Sequence, residues 1–126
     1  MNTYDRVLEN QKNNFNYLID SIDKDKLNEL ANILIEYKNE NIFFAGVGKS
    51  GNISLHLSDL FKSIGFRAFN LNIMNITHGD IGCVKKGDLV IFFSKSGNTK
   101  EMLDIIDVFD CCRLLVCSNE RSKISS

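Results

Sequence analysis

The chain lacks several features that would place a protein in a membrane or on a nucleic acid. Its 126 residues carry a formal net charge of −1, so no basic surface for nucleic acid or for an anionic membrane is expected. No apolar run is long enough to span a bilayer, and the polar N-terminus has no signal-peptide core. We therefore expect a cytoplasmic protein. Proline is absent as well, and that absence indicates no function.

The chain has four cysteines, and their spacing does not fit a metal site or a redox pair. Cys83, Cys111, Cys112 and Cys117 form neither a CxxC pair nor a Cys/His ligand pattern. Cys112 and Cys117 lie in or beside an apolar segment, where a thiol behaves as a small hydrophobic group. We predict reduced thiols in or near the core, with a metal or redox role as the open alternative. No metal and no cofactor are expected.

What the chain does contain is typical of one globular domain. The apolar fraction is 44% and the charged fraction is 25%. A chain of this length buries roughly two-thirds of its unfolded surface. We predict a single domain over 1–126, with N-terminal helices in 1–39 and a sheet core in 40–120.

Strands and helices alternate along the sequence. The patterns predict helices at 3–20, 24–38, 51–64 and 98–109, and strands at 41–46, 66–71, 88–93 and 113–117. Asp23 is placed to cap the second helix, and the third carries an apolar face of Ile53, Leu57, Leu60, Phe61 and Ile64. The strands are nearly continuous in apolar residues, which indicates an α/β fold with a parallel sheet covered on both faces. Strand one is expected between strands two and three.

Two glycine–serine turns each follow one of these strands. The first is Gly46-Val47-Gly48-Lys49-Ser50-Gly51, and the second is Ser94-Lys95-Ser96-Gly97-Asn98-Thr99. Such turns direct backbone N–H groups toward an anion at the start of a helix. Because the carboxyl ends of parallel strands meet at one edge of a sheet, the pair predicts a phosphate-binding crevice.

The first turn also matches parts of two nucleotide-binding patterns. Gly46, Gly48 and Gly51 fit the dinucleotide fingerprint, but strand two ends without the acidic residue that would bind a ribose hydroxyl. The Walker pattern fails because Phe43 stands in place of its first glycine. Both nucleotide classes are therefore disfavoured.

Each polar residue near the second turn has a structural alternative. Ser94, Ser96 and Thr99 make a phosphate cradle around a glycine, although helix capping by Ser96 or Asn98 is compatible with the same pattern. Asn98-x-x-Glu101 resembles a capping box, and the residues alone favour that structural role for the glutamate. His78, two residues before an aspartate in a loop, is more typical of a local hydrogen-bonding residue than of a catalyst.

Taken together, the motifs resemble the SIS (sugar isomerase) domain family, and within it most closely the arabinose 5-phosphate isomerases. The first turn, the segment Thr77-His78-Gly79-Asp80-Ile81-Gly82, and the second turn with Glu101 match in order and spacing. The resemblance covers about residues 5–120. Against the family pattern the chain is C-terminally short, because it shows no fifth strand and neither the further glutamate nor the further histidine.

The resemblance implies a flavodoxin-like α/β sandwich that forms a homo-oligomer, a dimer or a tetramer, and binds a sugar phosphate. It also implies interconversion of ribulose 5-phosphate and arabinose 5-phosphate, an aldose–ketose isomerisation. By position it assigns catalytic roles to Lys49, Glu101 and His78. It assigns substrate and phosphate binding to Gly48, Ser50, Gly51, Ser94, Ser96, Gly97, Asn98 and Thr99. The missing elements leave a non-catalytic phosphosugar-binding module, a sensor or a degenerate isomerase, as the alternative.

Overall fold

A parallel sheet with flanking helices forms the fold in the computed structural model, which describes residues 2–118. The longer elements are α1 (Thr3–Ser21), α2 (Lys24–Glu36), β1 (Ile42–Gly46), α3 (Lys49–Ser63), β2 (Ala68–Asn72), β3 (Leu89–Phe93), α4 (Lys100–Leu103) and β4 (Cys112–Val116). Short 3₁₀ helices occupy Ile73–His78, Asp80–Cys83 and Ile106–Val108. No helix among the described residues has the length and apolar character needed to cross a membrane.

The sheet has the order β2-β1-β3-β4, and every neighbouring pair is parallel. Ile42 pairs with Ala68 on one side and with Leu89 on the other, so β1 lies between β2 and β3. The predicted α/β class and the predicted strand order are thus confirmed. The described residues contain four strands, and the fifth strand implied by the resemblance is not among them.

Contacts divide the chain into two compact units, residues 1–34 and residues 35–126. In the first unit, the Asn2 side chain caps α1 by accepting from the Asp5 N–H. The Asp23 carboxylate accepts from the backbone N–H groups of Asp25 and Lys26 at 3.1 Å, which confirms the predicted cap of α2.

In the second unit, the main core covers one face of the sheet. Phe43, Ala45, Leu71, Val90 and Phe92 point to this face from β1, β2 and β3 and are buried. Ile76, from the segment after β2, and Met102 and Phe109, from the segment after β3, pack against these strand residues. The rings of Phe92 and Phe109 meet edge to face, with centroids 5.6 Å apart.

On the opposite face, α3 departs from the sequence-based expectation. Its predicted apolar stripe is buried only in part: Leu57 and Phe61 are half-buried, and the Phe61 ring centroid lies 5.4 Å from that of Phe44. Leu60 is 49% exposed and Ile64 is 67% exposed, whereas Ser54 and Ser58 are fully buried. The Ser54 hydroxyl lies 2.8 Å from the Gly51 carbonyl oxygen and 2.9 Å from Asn70 Oδ1. Small side chains let α3 approach the sheet closely, and a leucine at these positions would hold it away.

Two further boundaries differ from the predictions. α3 begins at Lys49 rather than 51, which brings the lysine into its first turn. The helix predicted at 98–109 divides into α4, a single turn, and the 3₁₀ helix Ile106–Val108. The β-branched residues Ile105, Ile106 and Val108 weaken a helix there, since they lose side-chain freedom against the preceding turn.

Candidate functional site

An open crevice of about 440 Å³ lies at the carboxyl ends of β3 and β4, beside the first turn of α3. Polar lining residues are Lys49 and Ser50 from α3, Ser94 and Lys95 from the second glycine turn, and Ser118 after β4. The rest of the lining is less polar and consists of Ile53, Phe93, Val116 and Cys117. The crevice borders the point between β1 and β3, from which the chain leads to β2 on one side and to β4 on the other. In open α/β sheets, ligands bind where the strand order reverses in this way.

The first glycine turn is shaped by a close contact between strand and helix. A Cβ atom on Gly46 would lie 2.6 Å from the Ser50 carbonyl carbon, and one on Gly51 would lie 2.9 Å from the Gly46 carbonyl oxygen. Gly48 has φ +62°, a conformation that favours glycine. The backbone can therefore reverse tightly and place Lys49 and Ser50 at the edge of the crevice. Their backbone N–H groups belong to the first turn of α3, where intrahelical acceptors are lacking.

The second glycine turn is ordered by its own hydroxyl groups. The Gly97 N–H donates to Ser94 Oγ at 3.0 Å, and the Asn98 N–H donates to Ser96 Oγ at 3.0 Å. Ser94 Oγ also lies 2.8 Å from Thr99 Oγ1. Two N–H groups of the predicted cradle thus point to hydroxyls of the turn itself. Gly97 has φ +69°, which supports the sharp reversal.

The sequence reasoning missed a contact that anchors this turn to the end of β4. The Lys95 carbonyl oxygen accepts from the Ser118 N–H at 3.0 Å and from the Ser118 hydroxyl at 2.5 Å. Neither residue was among the predicted site residues. A signal was present, because a residue just after the fourth strand of a parallel sheet must reach the same edge as both turns.

The structure brings some of the predicted binding residues together and separates others. Lys49, Ser50 and Ser94 line the crevice. Gly48 and Gly51 line a neighbouring cavity of about 250 Å³ at the ends of β1 and β2, together with three asparagines, Asn52, Asn70 and Asn72. The remaining predicted residues, Ser96, Gly97, Asn98 and Thr99, belong to the second turn but not to the crevice lining.

Two of the residues predicted to be catalytic lie away from the crevice lining. His78 ends the 3₁₀ helix Ile73–His78, and Glu101 lies in α4; both side chains are exposed. Within residues 2–118 neither side chain has a hydrogen bond or an ion pair. The alternative capping box is not formed, because Thr99 is the N-cap residue of α4 and the Asn98 N–H donates to Ser96. The catalytic roles of both residues stay predictions.

The charge lining the crevice is positive. Lys49 and Lys95 line it, and no aspartate or glutamate of the described chain does so. No cluster of three or more metal-ligating side chains occurs within residues 2–118. The arrangement therefore suits an anion held by ammonium groups, hydroxyls and backbone N–H groups.

The four cysteines are free thiols, and of these only Cys117 lines the crevice. Cys83 is exposed, while Cys111, Cys112 and Cys117 are half-buried. Burial raises the pKa of the Cys111 thiol. A hydrogen bond with Cys112, with burial as a second cause, raises the pKa of Tyr37 to about 12.

Comparison with known protein families gives a match over the second unit. The model of the SIS domain matches residues 35–110. An uncharacterised protein of Rickettsia prowazekii is 32% identical over 121 residues, which cover 96% of this chain and 35% of that protein. Arabinose 5-phosphate isomerase GutQ of Salmonella typhi is 37% identical over 76 residues, which cover 60% of this chain and 23% of that protein. The chain thus spans about a third or less of these relatives.

Solved structures share the fold over nearly the whole chain. A protein of Escherichia coli CFT073, solved in complex with arabinose 5-phosphate, is 29% identical with a TM-score of 0.78, covering 99% of this chain and 70% of that one. A candidate phosphosugar isomerase of Bacteroides fragilis is 19% identical with a TM-score of 0.87, covering 98% and 69% of the two chains. The second likeness concerns the fold alone.

Proposed function

The chain belongs to the SIS domain family, and from that premise we propose that it acts as an aldose–ketose isomerase of sugar phosphates, with ribulose 5-phosphate and arabinose 5-phosphate as its substrate pair. The supporting observation is the crevice where both glycine turns meet two lysines without a carboxylate. The chain would constitute one phosphosugar-binding domain over 1–126, with helices in 1–39 and the sheet core in 40–120.

The phosphate of the substrate is proposed to bind between the two turns. Lys49 and Ser50 offer first-turn backbone N–H groups at the start of α3, which has 15 residues and a favourable dipole for an anion. The second turn supplies the facing wall through Ser94, with the hydroxyls of Ser96 and Thr99 nearby. The complex of the Escherichia coli relative with arabinose 5-phosphate supports a sugar phosphate as the ligand.

The chemistry requires a proton to move between C1 and C2 of the sugar through an enediolate. In the proposed mechanism Lys49 stabilises the negative charge that develops on the enediolate oxygen. Glu101 or His78 moves the proton. Because both side chains lie outside the crevice lining, this step requires α4 or the 3₁₀ helix Ile73–His78 to approach the bound sugar. Catalytic contacts often tighten only once substrate is bound.

A non-catalytic phosphosugar-binding module is the second candidate, and the same observation favours it. His78 and Glu101 are exposed and outside the crevice, so binding needs only residues that are already assembled, whereas turnover needs more. Such a module would act as a sensor or would be a degenerate isomerase.

A coupled isomerase assay with ribulose 5-phosphate, run beside calorimetry with arabinose 5-phosphate, separates the two candidates. Turnover that falls about 10²–10³-fold in Lys49→Ala supports the isomerase. The matched control is Lys86→Ala, which removes an exposed lysine before β3 and should leave turnover unchanged. Binding without turnover establishes the binding module. A protein that neither binds nor converts a pentose or hexose phosphate contradicts both.

Two further proposals concern the cellular compartment of the protein and its oligomeric state. The free cysteines fit a reducing compartment, which supports the cytoplasm. The exposed apolar residues on the outer face of α3 support a homo-oligomer, either a dimer or a tetramer.

A further inference from the structure

A second cavity, of about 250 Å³, borders the first glycine turn at the carboxyl ends of β1 and β2. Gly48 lines this cavity, whereas the next residue, Lys49, lines the crevice, and the two spaces share no lining residue. Asn52, Asn70 and Asn72 line it as well, and it is called the asparagine cavity below. It lies at the edge of the sheet where open α/β folds bind their ligands.

The lining of the asparagine cavity is polar but uncharged. No charged residue of the described chain lines it, whereas Lys49 and Lys95 line the crevice. An ion that left water for this cavity would find no opposite charge to replace its hydration. Leu55, Leu71 and Met74 supply apolar surface beside the asparagines. Amide groups next to apolar surface suit an uncharged ligand whose hydroxyl groups stand on a short carbon chain.

The hydrogen bonds of Asn70 leave one of its polar atoms for the cavity. The buried Ser54 hydroxyl lies 2.8 Å from the Gly51 carbonyl oxygen and 2.9 Å from the end of the Asn70 amide. A hydroxyl has a single hydrogen, so it cannot donate to two oxygens. Both bonds form when the amide presents its Nδ2 to Ser54, since the oxygen and nitrogen of an asparagine amide are told apart by their hydrogen bonds. The Asn70 Oδ1 atom then remains as an acceptor at the cavity.

The other two asparagines supply donors. The Asn72 Oδ1 atom accepts from the Met74 N–H at 3.0 Å, which leaves the amide N–H groups of Asn72 for a ligand. The Asn52 side chain has no hydrogen bond to any other residue between 2 and 118. The cavity therefore offers an acceptor together with donors. A hydroxyl group matches such a lining, because it both donates and accepts, whereas an anion only accepts.

We propose that the asparagine cavity is a second binding site, separate from the crevice, and that it binds a free uncharged polyol. The inference goes beyond the proposed function, because it assigns a ligand without a phosphate to residues that do not line the crevice. The cavity is slightly smaller than the range of about 300–1,000 Å³ typical of small-molecule pockets, so it suits a short polyol such as a pentitol. The hydroxyls of a sugar phosphate held in the crevice offer the same chemistry. The free polyol is favoured because the two spaces share no lining residue.

NMR titration of the full chain with D-arabinitol, an uncharged pentitol, tests the inference. We expect saturable shifts of the Gly48, Asn70 and Asn72 amide signals. Asn52→Leu replaces an unpaired amide by an apolar group of similar size at an exposed position of α3, where leucine keeps the helix. The variant should bind D-arabinitol about fivefold more weakly, which corresponds to one lost hydrogen bond of about 1 kcal/mol. Asn28→Leu, an exposed position of α2 outside the cavity lining, is the matched control and should keep the wild-type affinity.

A second titration, in the presence of saturating arabinose 5-phosphate, separates the two sources of hydroxyl groups. An unchanged affinity for D-arabinitol supports a separate site. Displacement of D-arabinitol by arabinose 5-phosphate overturns it and assigns the cavity to the sugar of the crevice ligand. A wild type without saturable shifts at the cavity, or an Asn52→Leu variant with the wild-type affinity, also overturns the inference. Both of these results leave the proposed function standing, because D-arabinitol carries no phosphate.

Discussion

At the scale of single residues, Ser94 holds the second glycine turn together. Its side chain is 3% exposed, accepts from the Gly97 N–H and lies 2.8 Å from Thr99 Oγ1. A hydroxyl has one hydrogen, and a buried hydrogen without an acceptor is costly. We infer that Ser94 donates to Thr99, which leaves the Thr99 hydrogen free to point elsewhere.

Ser94→Ala should therefore destabilise the protein. The substitution leaves the buried Gly97 N–H without its acceptor, and we expect the free energy of unfolding to fall by about 1–3 kcal/mol. Urea denaturation measures this loss. Ser96→Ala is the matched control, because Ser96 is exposed and water can replace its bond to the Asn98 N–H; its effect should stay within about 0.5 kcal/mol. Equal losses in the two variants would contradict the assigned role of Ser94.

Tyr37 gives a second prediction at this scale. Its hydrogen bond with Cys112 is the main cause that raises its pKa from 10.0 to about 12. Because the folded state holds this proton more tightly, the contribution to stability is complete below pH 10 and is lost as the pH rises toward 12. Absorbance titration at tyrosinate wavelengths should show one late transition among the three tyrosines, absent in Tyr37→Phe.

The partner thiol provides the control for this assignment. Cys112→Ala should lower the pKa of Tyr37, since the first cause of the shift is removed. Cys83→Ala changes an exposed thiol elsewhere and should leave the titration as in the wild type. A late transition that persists in Tyr37→Phe would assign the raised pKa to another tyrosine.

At the scale of elements, the contact between β1 and α3 determines where the first turn places its lysine. A Cβ atom on Gly46 would meet the Ser50 carbonyl carbon and oxygen at 2.6 Å and the Gly51 nitrogen at 2.8 Å. These are backbone atoms, so the start of α3 must move to make room. The side chain of Lys49 moves with it.

Gly46→Ala should accordingly lower the free energy of unfolding by about 1–3 kcal/mol, as overpacking typically does, and weaken phosphate binding as well. Gly82→Ala is the matched control, because its Cβ would meet nothing within 4 Å and its φ is not positive. Denaturation and NMR titration with inorganic phosphate measure both effects. If Gly46→Ala proves as stable as Gly82→Ala, the start of α3 can move without lowering the free energy of unfolding, and the prediction is wrong.

At the scale of the whole molecule, the outward face of α3 presents apolar surface. Leu60 and Ile64 lie four residues apart on this face and are 49% and 67% exposed. Contiguous exposed apolar residues of this kind mark interfaces between proteins. The helix therefore supports assembly of several copies of the chain.

Light scattering should accordingly give a mass that is a multiple of the 14.3 kDa chain. Leu60→Lys should shift the mass toward one chain, because a charge on the buried side of an interface is costly. Cys83→Lys adds the same charge at an exposed position outside α3 and should leave the mass unchanged. A wild-type mass of 14.3 kDa at micromolar concentration would contradict the proposal.

Features that depend on near neighbours along the chain followed from the amino-acid sequence alone. Continuous apolar strands separated by helical patterns predicted the parallel sheet and its order, and the Asp23 cap followed from its position before an apolar stripe. The two glycine turns predicted a crevice at the carboxyl edge. Lys49, Ser50 and Ser94 were placed there because each follows a strand of that sheet directly.

Features that depend on contacts between distant residues needed the folded chain. The apolar pattern of α3 does not reveal that Ser54 and Ser58 face the sheet, because the close approach depends on Gly46 and on Asn70 of another strand. The Lys95 carbonyl oxygen accepts a hydrogen bond from Ser118, which is 23 residues away along the chain. His78 and Glu101 carry the right chemistry in the sequence, but only folding determines how far each lies from the crevice.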